Sequence, residues 1–263
     1  MDIVLSILVA LALLVLLFLL LIRKRKKKQA IQPVPASYRE LLSQGVPFYQ
    51  QLDQTQQELF ANRVQHFIAS TRITGVNTVV EEIDKVYVAA SAVIPTFGFP
   101  DWEYININEV LLYPDSFNHD FEQQGTDRSI LGMVGTGAYE DVMILSQHEL
   151  RQGFLNKTGK SNTAIHEFVH LVDKTDGSTD GVPEFALQHN YVLPWLDLVH
   201  KKMKQILANR SDIDPYGATN QAEFFAVVAE YFFERPDLLK EKHPDLYEVL
   251  SSIFRQQPAG KMK

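Results

Sequence analysis

The 263-residue chain contains no cysteine. That absence excludes disulfides and cysteine-ligated zinc, and it fits a reducing compartment. Internal repeats and low-complexity tracts are also missing, so no part reads as a repeat array. Between Ile3 and Ile22 there is no charge, no proline and no glycine, and Ser6 is the only polar side chain. A helix of that length spans a bilayer core. Six cations in a row, Arg23 to Lys28, follow it. A cleavable signal peptide would be basic before a shorter apolar core and would end in small residues, so the segment reads as an uncleaved anchor. The basic side then faces the cytoplasm, with a very short N-terminus outside, and the cations sit on anionic headgroups. The run has no interleaved aromatics. Without these six cations and Asp2, the rest of the chain carries 19 basic and 31 acidic side chains, a net of −12. An acidic body of that kind argues against direct nucleic-acid binding.

What the chain does have is His166-Glu167-Phe168-Val169-His170, the H-E-x-x-H zinc-peptidase signature. Residues four apart share one helix face, so both imidazoles can aim at one metal ion. Glu167 then stands where it can take a proton from a metal-activated water. Chance alone gives such a match in a chain this size on the order of a per cent or two of the time, so the context decides. Asn162 or Thr163 can cap the helix. Ile165, Phe168, Val169 and Val172 can face a core, and the turn-formers of 176–183 stop the helix. A third ligand is then needed. In H-E-x-x-H-x-x-G-x-x-H the glycine would fall at Asp173 and the last histidine at Asp176, so that pattern is absent. A glutamate from a downstream helix is the alternative. Glu223 and Glu230 lie seven apart on one face of an apolar segment, and spacing alone does not choose between them.

The stretch His166 to Asp173, the Asp180-Gly181-Val182-Pro183 loop and the run Asp214 to Val227 with Glu230-Tyr231-Phe232-Phe233 resemble the Mlc titration factor A family of zinc-dependent peptidases. The resemblance covers roughly residues 37–255, densely in the second half, and the catalytic module is similar to that of the lethal-factor toxin protease. It implies zinc held by His166, His170 and Glu223 rather than Glu230. It implies Glu167 as the general base and Tyr216 as a hydroxyl near the metal that stabilises the oxyanion. Asp173 matches an aspartate expected to hold a ligand histidine or the Glu223 helix in place. Gln221 stands where the family often has proline.

The fold class expected is α+β: a helix-dominated, gluzincin-like zinc-peptidase domain with a small sheet, preceded by one N-terminal transmembrane helix. The division expected is 1–28 anchor and basic stretch, 29–36 a stiff linker, and 37–263 peptidase domain. Helices are read at 37–45, 54–70, 80–94, 161–173, 191–209, 220–234 and 244–254, and strands at 107–113 and 141–146, with a loop at 118–139. The second strand is placed directly before the metal helix. In such enzymes an edge strand beside the cleft pairs with extended substrate, a role open to 142–146. His119, His148, His189, His200 and His243 are read as surface or satisfied core residues, and none is assigned to the metal.

The resulting expectation is a single-pass membrane protein whose cytoplasmic domain hydrolyses peptide bonds in a peptide or protein substrate. The alternative is a regulatory binding protein. The resemblance implies capture of a sugar-responsive transcriptional repressor for some members, which an anchor would move to the membrane. A third reading is membrane-protein quality control by an anchored protease.

Overall fold

The computed structural model describes residues 33–260, apart from 126, 136, 138, 139, 157, 184, 185 and 188. Short polar signals start its helices. Pro35 precedes α1 (Ala36–Gly45), and Pro47 opens the single turn of α2 (Pro47–Gln50). Asp53 and Gln56 form a reciprocal cap on α3 (Gln54–Ser70). Strand β1 (Arg72–Gly75) leads to α4 (Glu82–Thr96), whose side chains are buried almost without interruption from Asp84 to Thr96. Then come β2 (Glu109–Tyr113), β3 (Gly132–Val134), β4 (Val142–Ser146) and α5 (Gln147–Leu155). The second half holds α6 (Thr163–Asp173), α7 (His189–Leu207), α8 (Gln221–Glu234), α9 (Pro236–Lys242) and α10 (Pro244–Phe254). The class is helix-dominated α+β with a small mixed sheet, and the compact unit begins at Val34.

Strand order is β1-β2-β4-β3. The first three strands run parallel, with Ile73 opposite Val110 and Val110 opposite Met143. β3 runs antiparallel to β4, with Gly132 opposite Leu145 and Val134 opposite Met143. α6 packs between α4 and α8. Its apolar stripe (Ile165, Phe168, Val169 and Val172) is fully buried. Phe168 packs with Phe67 and Tyr104 in a three-ring cluster, 5.5 Å from each of them. Burial of a side chain of this size contributes roughly 1.5–3 kcal/mol. The stripe therefore fixes the roll of α6 and turns His166, Glu167 and His170 to the opposite face.

Three expectations are corrected. The segment 142–146 is hydrogen-bonded to β2 on one side and β3 on the other, so it has no free ladder to offer a substrate. The free edge on the cleft side is β3, inside the stretch read as a loop. It is three residues long and begins with glycine, too short for a period-2 signal. Nor does β4 precede the metal helix directly: α5, capped by Ser146, lies between them. The expected membrane span and basic run, 3–28, lie outside the described residues. Among the described residues no helix is long and apolar enough to cross a membrane.

Candidate metal centre

His166, Glu167, His170, Tyr216 and Glu223 line one open cleft of about 810 Å³. α6 supplies the first three. Asn162 caps that helix by accepting the Ile165 N–H at 3.2 Å. Glu223 comes from the first turn of α8, where Asn220 accepts its backbone N–H at 2.9 Å. Tyr216 rides on a 3₁₀ turn, Pro215–Ala218, held by Asp214, which accepts the Tyr216 N–H at 2.9 Å. Its ring lies 6.0 Å from that of His166, and the residue is 54% exposed.

One ligand atom each from His166, His170 and Glu223 lies within 4.8 Å of the others. The Nε2 of His166 is 2.9 Å from Glu223 Oε2 and 3.1 Å from His170 Nε2. His170 Nε2 is 3.5 Å from the same carboxylate oxygen. On its other side, His166 Nδ1 is 2.7 Å from Glu230 Oε1. A carboxylate accepts only, so this Nδ1 carries the proton, and a neutral His166 presents a lone pair at Nε2. With His170 in the tautomer that protonates its Nδ1, three lone-pair donors converge on one point with no hydrogen between them. Such a cluster needs positive charge. Burial alone lowers His166, but Glu223 and Glu230 push it up to about 10. Burial raises Glu223, but the two imidazoles pull it down to about 2. A proton or a divalent cation answers that demand. Two imidazoles and a carboxylate with room on the cleft side suit a metal that keeps an open position.

Glu167 is buried beside this point. Burial raises its carboxyl, the two histidines oppose the rise, and Glu223 and Glu230 add to it. β3 passes close against it: a Cβ on Gly132 would lie 2.8 Å from Glu167 Cγ and 2.9 Å from its Oε1. Burial also raises the Tyr216 hydroxyl, and Glu223 and Glu167 push it further, so it stays a hydrogen-bond donor.

The carboxylate that spacing left open, Glu230, is 5% exposed and holds His166 from behind; its second oxygen accepts the Asn162 N–H. Reading the two glutamates as a pair, one in front of the imidazole and one behind it, would have found it. Asp173 is fully buried and acts at one remove. It accepts the Gly181 N–H at 2.7 Å, and Trp195 Nε1 donates to the Gly181 carbonyl at 2.7 Å. A Cβ at Gly181, whose φ is +77°, would collide with the Gln221 carbonyl at the start of the Glu223 helix. His119 and His200 both line the cleft, as do Met133, Lys174 and Met203. These lie far apart in sequence, and no local pattern connects them.

Residues 21–255 match the glucose-regulated metallo-peptidase M90 family. The chain is 29% identical over 248 residues to an uncharacterized protein of Synechocystis, covering 88% of each. It is 30% identical over 170 residues to Mlc titration factor A of Pectobacterium atrosepticum, covering 59% of this chain and 62% of that one. Mlc titration factor A of Yersinia enterocolitica is 24% identical over 245 residues, covering 87% and 88%.

Proposed function

The chain belongs to the glucose-regulated metallo-peptidase M90 family, and on that premise we propose that it is a membrane-anchored, gluzincin-like zinc peptidase. His166, His170 and Glu223 would hold the zinc, and Glu167 would serve as general base. The observation that carries the reading is the convergence of one ligand atom each from His166, His170 and Glu223 within 4.8 Å, with the back of His166 already committed to Glu230. Zinc, when bound there, supplies a Lewis acid that acidifies water and polarises a peptide carbonyl.

The chain's own residues supply the rest. Glu230 keeps the His166 proton on Nδ1 and so keeps Nε2 free for the metal. The Glu167 carboxylate, raised by burial, receives a proton and passes it to the leaving amine nitrogen. The Tyr216 hydroxyl donates to the oxygen that gains charge as the carbonyl carbon becomes tetrahedral. Substrate lies extended along the free edge of β3, where Gly132 lets the backbone approach Glu167 closely. Residues 1–28 would anchor this domain to the cytoplasmic face as a single span, with 29–36 as spacer and 37–263 as the peptidase domain.

The names of the relatives favour a second reading, in which this chain sequesters a transcriptional repressor at the membrane. The two readings part at Glu167, because binding survives its loss and catalysis does not. The test is zinc stoichiometry and peptide hydrolysis of the purified chain beside Glu167→Gln. One zinc in each protein, with hydrolysis lost only in the variant, is expected. Zinc with equal turnover in both would remove Glu167 from the chemistry, and absence of zinc would remove the centre itself.

A further inference from the structure

Behind the metal helix lies a second cavity, of about 520 Å³, on the far side of Ile165 from the cleft residues. Phe48, Ile94, Phe154 and Phe233 give it apolar walls, and Glu234 stands on its lining. One oxygen of Glu234, Oε1, accepts from Asn162 Nδ2 at 3.0 Å. Its other oxygen has no donor among the described residues. Among the described residues no cation pairs with it either: Arg235, also on the lining, donates to the Thr158 carbonyl at 2.7 Å instead. The nearest charge that acts on Glu234 is Glu230, which repels it. Asp237, also on the lining, adds a second acid. A half-buried acid with an open oxygen and aromatic walls, beside an arginine that is turned to a backbone carbonyl, is complementary to an organic cation.

We propose that this cavity is a binding site for a small organic ammonium ion with an apolar body, and that occupancy weakens the hold on metal at His166. The ammonium group would pair with Glu234, and the body would lie among Phe48, Phe154 and Phe233.

The link to the metal centre is a continuous set of hydrogen bonds. Glu234 accepts from the Asn162 side chain, the Asn162 backbone N–H donates to Glu230 Oε2, and Glu230 Oε1 accepts from His166 Nδ1. Asn162 also caps α6, and a Cβ at Gly153 would lie 2.8 Å from its side chain, so it has little room to move alone. An ammonium group on the open oxygen leaves Glu234 ionised, and the charged carboxylate pulls harder on the Asn162 side chain. That pull shifts the N–H which Asn162 gives to Glu230, and the support of Glu230 on His166 weakens with it.

Burial pushes Glu234 up to about 8, with the Asn162 bond opposing the rise and Glu230 adding to it. In the free cavity Glu234 is therefore mostly protonated at pH 7. Pairing with a cation ionises the acid and releases a proton, so affinity rises between pH 6 and pH 9.

The binding part is independent of the peptidase reading; only the link to metal rests on it. The test uses phenethylammonium as probe and neutral 2-phenylethanol as its isostere, titrated calorimetrically into the metal-loaded full chain and into Glu234→Gln. Saturable binding that favours the ammonium by at least tenfold in the wild type, with that preference gone in the variant, is the expected result. Equal affinity for the two probes, or no saturable binding at all, overturns the site. Undiminished ammonium binding in the variant also overturns it, because it places the probe in the cleft. At saturating phenethylammonium, zinc affinity measured by chelator competition should fall at least threefold. An unchanged value overturns the link. A chain that binds the probe but never binds zinc would remove the peptidase reading while leaving the cavity site standing.

Discussion

Glu230 stands 2.7 Å behind His166, and it fixes which imidazole nitrogen is free. A Glu230→Gln side chain can still accept from His166 Nδ1, but its amide then faces the Asn162 N–H donor for donor. Carboxylates in this position orient and strengthen ligand histidines. The expected cost is a fall in zinc affinity of about 10- to 100-fold, read by competition with a chromophoric chelator; an unchanged affinity would show that His166 needs no backing. Tyr216 contributes only where charge develops. In Tyr216→Phe, zinc content and KM should stay near wild type while kcat drops by about 10²-fold, the scale of one lost oxyanion donor. A change confined to KM would make the tyrosine a binding residue instead.

At the scale of elements, the cleft depends on how closely β3 approaches α6. Gly132 is opposite Leu145 in the ladder, and its missing side chain leaves room for Glu167 and Thr163. Alanine here puts a carbon 2.8 Å from Glu167 Cγ, so the carboxylate or the strand must shift. A shift on the order of 1 Å in a reacting group can cost about 10²-fold in rate. Gly132→Ala should therefore lower kcat by roughly one to two powers of ten with zinc retained, as steady-state hydrolysis and metal analysis would show. Full activity would mean that β3 yields without consequence. α6 itself is held by packing against α4 and α8, with Phe168 in a cluster with Phe67 and Tyr104, so the strand is the softer partner.

Over the whole molecule, Asp212 draws distant parts of the chain together. It accepts from Lys160 at 2.6 Å, His243 Nε2 at 2.7 Å, Tyr231 at 2.9 Å and Lys242 at 3.1 Å. These donors come from the loop before α6, from α8, and from the end of α9 with the residue after it. They fasten the segment that carries Tyr216. Burial works against ionisation of Asp212, but the four donors hold its carboxyl well below the ordinary range. A carboxyl depressed in the folded state stabilises the fold above its unfolded value of about 3.9, and that contribution is lost as the pH falls from there toward the folded value. With metal removed by chelator, urea midpoints measured from pH 6 down to pH 3 should fall less steeply in Asp212→Asn than in the wild type. Parallel slopes would leave the acid sensitivity with other carboxylates.

The sequence by itself determined the parts that are local. H-E-x-x-H places three polar groups on one face of α6 because the helical period does so in any fold, and the apolar residues between them fix which way that face turns. The same period put Glu223 and Glu230 on one face of α8. The helices at 54–70 and 244–254, with strong caps or proline starts, fall where the sequence placed them. Tertiary structure decided the relations between elements. The resemblance points to Glu223 as the ligand, but only the packing of α8 against α6 shows that Glu230 stands behind His166. Only the strand order shows that the free edge is 132–134 and not 142–146, because an edge is defined by the absence of a neighbour, which no single strand encodes. Short elements such as β3 and α2 carry too few residues for a period to register, and they form because the rest of the fold holds them. The cleft partners His119, Lys174, His200 and Met203 and the cavity around Glu234 belong to the same class: residues remote along the chain that meet only once the core has closed.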